Sequence, residues 1–276
     1  MDVPKGGTTL LTALLILALQ TVAAPPTESG SARLSGAAAE EFLRTAEVVD
    51  SEFIPVGVTK PQRLTLTDGE VTARATWKTI SEYQAVRKFD DGGMPELGFR
   101  DSYESEVAAY ELDKLLGFGF VPPTVVRRLR RERGSLMLWI DGCITEGERR
   151  RRRVNPPDPE AWSQQIYDAR LFHQLIHDSD YQNLSNLLVD PDFKLWVVDQ
   201  SRAFRTQGKL LNQQYLRRFS RRTLERLREL TPELLDEKLG EWLTPRQRKG
   251  LLIRRDLLLD AAEKLVAEQG AETVLF

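Results

Sequence analysis

Cysteine is almost absent from this chain: Cys143 is the only one in 276 residues. A single thiol excludes an intramolecular disulfide, a disulfide scaffold and a Cys-rich zinc site. Histidine is nearly as scarce, with His173 and His177 alone. They lie four apart on a predicted helix, a spacing that can bind zinc. No glutamate follows His173 and no third ligand is evident, so both are read as core or surface residues. No sign of charge dominates, with 39 Lys+Arg against 41 Asp+Glu and a net charge of -2. That balance argues against a nucleic-acid partner. No apolar run reaches the roughly 20 residues that a comfortable membrane span needs. What is present is an ordinary globular mix, 41% hydrophobic and 29% charged, enough for one large domain or two small ones. There is no internal repeat.

The first residues carry Lys5, then an uncharged stretch over 8–22 rich in leucine, then Ala23, Ala24 and two prolines. A basic start, a short apolar core and a small-residue exit describe a secretory signal peptide over 1–24. The alternative is a short uncleaved anchor. No lipoprotein cysteine follows. The expectation is an exported protein, secreted, periplasmic or in a secretory-pathway lumen, with no stable membrane span after signal cleavage. A Pro-, Ser-, Gly- and Ala-rich stretch makes 25–48 a linker.

The mature part divides by pattern. Residues 62–80 alternate apolar and polar around Asp68-Gly69, which predicts an antiparallel hairpin. A glycine-rich loop follows at 90–98. Residues 102–117 carry a helical apolar stripe ending at Gly117. The stretches FVPPTVVRRL and GSLMLWI read as two strands with a break at 131–134. This makes 49–141 a small β-rich unit with one helix. Residues 142–276 change character, with a helix over 159–178, a short β-pair over 186–199, and helices after Tyr215. The basic run at 149–153 reads as a solvated loop or helix face, or as a contact for an acidic substrate or phosphate.

Within that organisation stands a set of residues suited to phosphoryl transfer. Such chemistry needs a lysine on the phosphates, a carboxylate holding the lysine, a metal-binding carboxylate, a carboxylate orienting the acceptor hydroxyl, and commonly an asparagine. Lys78 ends the second arm of the hairpin. Glu106 lies early on the helix where it could pair with Lys78, with Glu104 as the competing residue. Asp180 and Asp199 flank the β-pair. Asp199 follows the apolar LWVV, a costly place for a charge unless a metal or partner compensates it. Asn186 directly precedes LLV, and Asn183 is an alternative metal partner. Asp178, Asp180 and Asn183 could also serve only to cap and turn the chain. Cys143 lacks a nearby His–Asp pair and reads as a packed side chain.

On these residues the chain resembles the atypical kinase branch that includes phosphatidylinositol 3/4-kinases, HipA-type kinases and the secretory-pathway casein kinases. The resemblance rests on SYESEVAAYELDKLLGFGFVPPTVVRR, GSLMLWIDG, and LIHDSDYQNLSNLLV with LWVVDQSRAF. It implies an α+β, two-lobed protein-kinase-like fold, with a mainly helical second lobe, that uses ATP and Mg²⁺ or Mn²⁺. Lys78 would contact the phosphates and Glu106 would pair with it. Gly57 would sit in the loop over the phosphates. Leu138, Trp139 and Asp141 would frame the adenine. Asp180 would be the catalytic carboxylate, and Asn186 and Asp199 would hold the metal. The acceptor would be a hydroxyl of a protein, sugar or lipid. A nucleotide-binding pseudokinase, or nucleotidyl transfer on the same fold, uses the same parts.

Overall fold

The computed structural model describes residues 34–54, 61–87 and 95–276. The expected signal peptide lies outside them, as do Gly57 and part of the expected 90–98 loop. The hairpin forms as the alternation predicts. Strands β2 (Gln62–Thr67) and β3 (Thr72–Lys78) pair antiparallel, with Gln62 opposite Trp77. The Asp68 carboxylate closes the turn by accepting from the Glu70 and Val71 amides. Strand β1 (Glu47–Phe53) pairs with β2. On the other side β3 pairs with β7 (Glu132–Leu138), and β7 with β6 (Thr124–Leu129). The result is one antiparallel five-stranded sheet in the order β1-β2-β3-β7-β6.

A helix covers that sheet where a linker was expected. Helix α1 (Gly36–Thr45) buries Ala39, Phe42 and Leu43 against Leu64, Leu66, Ala73, Ala75, Trp77 and Leu136. The expected linker of 25–48 is therefore corrected over 36–48, which holds this helix and the start of β1. The small lobe thus has a second helix beside α2 (Tyr103–Leu116). Another element went unexpected, a separate hairpin of β4 (Ser81–Arg87) and β5 (Glu96–Ser102) between β3 and α2. Ser102 caps α2 by accepting from the Glu104 amide, and Gly117 ends it at φ 69°, a left-handed turn that glycine adopts freely.

The remainder is mainly helical. Helix α3 (Glu146–Arg152) follows the short β8 (Ile144–Thr145). Helix α4 (Pro159–Ile176) starts at the Asp158 cap and ends at His177. Strands β8, β9 (Leu187–Val189) and β10 (Leu195–Val197) form a three-stranded sheet beneath the cleft. Helices α5 (Arg221–Glu229), α6 (Pro232–Leu239), α7 (Pro245–Gln269) and α8 (Ala271–Val274) complete the lobe. Two separate apolar cores result, one under the five-stranded sheet and a larger one joining α2 to the helical lobe. No helix among the described residues is long and apolar enough to cross a membrane.

Candidate active site

The two lobes enclose a cleft of 400 Å³. Its roof comes from strand alternation. Lys78 and Thr76 share the face of β3 opposite the buried Ala75 and Trp77, and both line the cleft. Ser135 and Met137 of β7 join them, and Leu188 of β9 and Val198 form part of the floor.

Lys78 is the centre of the charge arrangement. Its Nζ donates to Glu106 Oε1 at 2.5 Å and to Asp199 Oδ1 at 2.6 Å. The Glu106 side chain is 1% exposed, that of Lys78 11%, and that of Asp199 48%, so only Asp199 faces open solvent. Burial works against the ammonium, but the Glu106 and Asp199 charges outweigh it and hold its pKa above the ordinary lysine value. Partial enclosure by the cleft works against the Asp199 carboxylate, and Lys78 and Ser201 outweigh it and keep its pKa low. Glu106 also reaches the other lobe, because its Oε2 accepts from the Gln200 amide at 3.1 Å. Glu104, the competing residue, instead pairs with Arg100.

Asp199 sits at φ 64°, an uncommon left-handed conformation for a non-glycine residue. Its Oδ1 takes Lys78 and the Ser201 hydroxyl. Asn186 is buried and lines the cleft with Asp199. Asp180 lies at the edge, outside the cleft lining. Its Oδ2 accepts from the Nδ2 groups of Asn183 and Asn186, both at 3.1 Å, while its own amide donates to Asp178 Oδ1 at 2.9 Å. Asn183 is exposed, and its Oδ1 caps the short 3₁₀ turn at Ser185. Of the two asparagines, only Asn186 faces the cleft. Asp199 Oδ2 and the Asn186 amide oxygen are hard donors of the kind that Mg²⁺ or Mn²⁺ takes alongside nucleotide phosphates. The residues therefore fit such a metal.

Of the residues expected to frame the adenine, Leu138 and Trp139 line the cleft. The Leu138 and Trp139 amides are committed to the Pro123 and Arg74 carbonyls. The Trp139 ring lies beneath the guanidiniums of Arg63 and Arg74. The Asp141 carboxylate, also expected to frame the adenine, pairs with Arg74 and lines a neighbouring cavity. That basic side chain comes from β3, a pairing that no local spacing in the sequence shows. Cys143 lines the cleft, and burial, with Asp190 and Asp141 nearby, pushes its thiol up to about 12. It is a neutral wall residue.

Sequence reading missed several contributors. Gln200 and Ser201 support Glu106 and Asp199, and their place directly after LWVVD was the available signal. Asp101 is 7% exposed, and burial raises its pKa beside Asp199 and Lys78. Arg254 of α7 is fully buried and donates to the carbonyls of Leu175, Arg205 and Gln207, the last two in the segment that follows Asp199. Burial presses its pKa down to about 9, still well above neutrality. Nothing local in the sequence marks Arg254 among its many arginines.

No protein-family model matches the chain, and no curated protein sequence matches it. Solved structures do. Hydra Fam20 solved with sugar superposes with a TM-score of 0.62 at 17% identity, over 87% of this chain and 91% of that one. The Golgi casein kinase with Mn/ADP bound gives 0.61 at 13% identity, over 86% and 77%. The Helicobacter pylori proinflammatory kinase CtkA gives 0.51 at 10% identity, over 82% and 98%.

Proposed function

We propose, for a chain that has the atypical kinase-like fold of a secretory-pathway casein kinase, that it is an exported phosphotransferase using ATP and a divalent metal. The observation that carries this reading is Lys78 bridging Glu106 and Asp199 at the back of the cleft. Lys78 would hold nucleotide phosphates, with Glu106 fixing the ammonium in place. Leu138, Trp139 and Met137 would pack the base. Asp199 and Asn186 would hold Mg²⁺ or Mn²⁺, which when bound neutralises charge on the transferred phosphoryl group. Two amides hold Asp180 Oδ2, so its Oδ1 is left to accept the proton of the acceptor hydroxyl. Export is supported by the apolar stretch at 8–22 and by likeness to a Golgi enzyme. The acceptor is a hydroxyl of a protein, sugar or lipid. The sugar in the hydra Fam20 structure favours an acceptor with several hydroxyls.

One observation favours a module that binds nucleotide without transfer: Asp180 lies outside the cleft lining. Nucleotidyl transfer would use the same lysine and carboxylates. The test is the melting temperature of the mature domain with ATP and Mn²⁺, for wild type and Asp199→Asn. A ligand at about a hundred times its Kd stabilises by roughly 2.7 kcal/mol. A metal-dependent rise lost in the variant is expected. Incubation with γ- and α-labelled ATP then separates the chemistries, with γ-label appearing in an acceptor on the kinase reading. No shift in wild type at millimolar nucleotide would overturn all three readings.

A further inference from the structure

A second cavity of 290 Å³ lies on the helical lobe beside the loop that carries Asp180. Its walls come from α3, α4, residues 181–187 and Tyr215. The lining holds Arg150, Arg170 and His173, and no aspartate or glutamate. A cavity with two guanidiniums and no carboxylate is a place of positive potential.

Each cation is placed rather than free. The Arg170 guanidinium lies over the rings of Tyr167 and Tyr215, at 5.8 and 5.5 Å, and among the described residues no carboxylate pairs with it. Stacking of this kind fixes a guanidinium's plane and leaves its N–H donors at the edges for an anion. Arg150 donates to Glu146, but that one carboxylate also serves Arg149, so it does not neutralise both. Tyr181 and Tyr215 stand edge to face, 6.1 Å apart, and Leu184 adds an apolar patch. His173 is 4% exposed, and its Nε2 is buried with no partner. Its Nδ1 bonds Asp178 Oδ2 at 2.9 Å, and Asp178 Oδ1 accepts from the Asp180 amide. Tyr181 in the wall directly follows Asp180.

We propose that this cavity holds the phosphate or carboxylate of a small, hydroxyl-bearing acceptor, an inference that rests on the phosphotransferase reading of the main cleft. Arg170 and Arg150 bind the anion, and the tyrosines and Leu184 pack its carbon skeleton. The volume suits a group the size of one sugar ring rather than a folded partner. The His173–Asp178 chain ties the occupied cavity to the backbone of Asp180.

Titration calorimetry of the mature protein with glucose 6-phosphate, glucuronate and glucose tests this. At least one anionic sugar is expected to bind at least tenfold more tightly than glucose. The two anions separate a phosphate site from a carboxylate site. Arg170→Gln is expected to weaken that binding at least tenfold and Arg150→Gln at least threefold, with ATP–Mn²⁺ affinity unchanged. Arg150 is half exposed, so its variant carries the test should Arg170→Gln fold poorly. Anions that bind no better than glucose, or binding that neither variant weakens, would overturn the proposal. The nucleotide shift described above is read separately. Anion binding without a nucleotide response sinks the kinase reading and keeps the cavity, and the reverse keeps the kinase reading alone.

Discussion

Lys78 bridges two carboxylates at once, and the cost of losing it follows from what it leaves behind. Glu106 is almost fully buried, and an unpartnered buried charge is among the largest single-site penalties. Lys78→Met is therefore expected to destabilise by about 3 kcal/mol in urea unfolding. Adding Glu106→Gln should recover most of that loss, because the amide removes the stranded charge while its oxygen still accepts from the Gln200 amide. Nucleotide binding should stay lost in both. A double variant no more stable than Lys78→Met would show that packing, not charge, holds this site. The residues of this cluster were legible in sequence because each sits at an element boundary. Lys78 ends an alternating strand, Glu106 opens an apolar-striped helix, and Asp199 follows an apolar strand. The Arg74 pairing of Asp141 was not legible, because adjacency to a strand end says nothing about which distant arginine will meet the carboxylate.

Among the elements, β3 and β7 place Lys78, and Gly134 sets how closely they approach. A Cβ on Gly134 would fall 2.3 Å from the Lys78 carbonyl oxygen and 2.9 Å from the Trp77 ring. Backbone cannot yield as a flexible side chain does. Gly134→Ala is expected to cost about 2 kcal/mol and to weaken the ATP-dependent thermal shift by moving Lys78. An alanine variant with unchanged urea midpoint and nucleotide response would refute this placement. The hairpin of β2 and β3 and the β9–β10 pair were readable because their residues alternate in burial, so hydrophobicity repeats at the period of the strand, and α2 was readable from its apolar positions and the Gly117 stop. The hairpin of β4 and β5 was not. Nearly all of β4 is exposed, including Tyr83 and Val86, so no alternation marks it. Helix α1 escaped for a related reason. It packs with Phe42, Leu43 and small alanines, in a stretch whose glycine, serine and alanine content matches that of a linker.

At the scale of the whole molecule, two buried groups outside the cleft lining tilt stability with pH in opposite directions. Burial raises Asp113 to about 7 from 3.8, against the Phe120, Val121 and Gly119 amides. The fold therefore favours its protonated form, and that stability is lost as pH rises from about 4 to 7. Burial, with the Arg254 charge, lowers His177 to about 4 from 6.5. The fold favours its neutral form, and that stability is lost as pH falls from about 6.5 to 4. Urea midpoints across pH 4–8 should show Asp113→Asn gaining on wild type as pH rises to 7. His177→Gln should gain on wild type as pH falls below 6.5. Each slope is bounded by about 1.4 kcal/mol per pH unit. Parallel curves for either variant would remove that group from the balance.

Arg254 gives the molecule an order of assembly. The carbonyls it gathers belong to residues 175, 205 and 207, some 50 to 80 positions earlier in the chain. Contacts of such sequence separation form late, because a long loop must close before they are made. During synthesis the strands of the small lobe and their lysine are made well before α7. The stretch after Asp199 gains its anchor only when α7 docks. A growing chain thus carries Lys78 long before it carries a braced loop after Asp199, so the two sides of the cleft come together in one late step rather than by degrees.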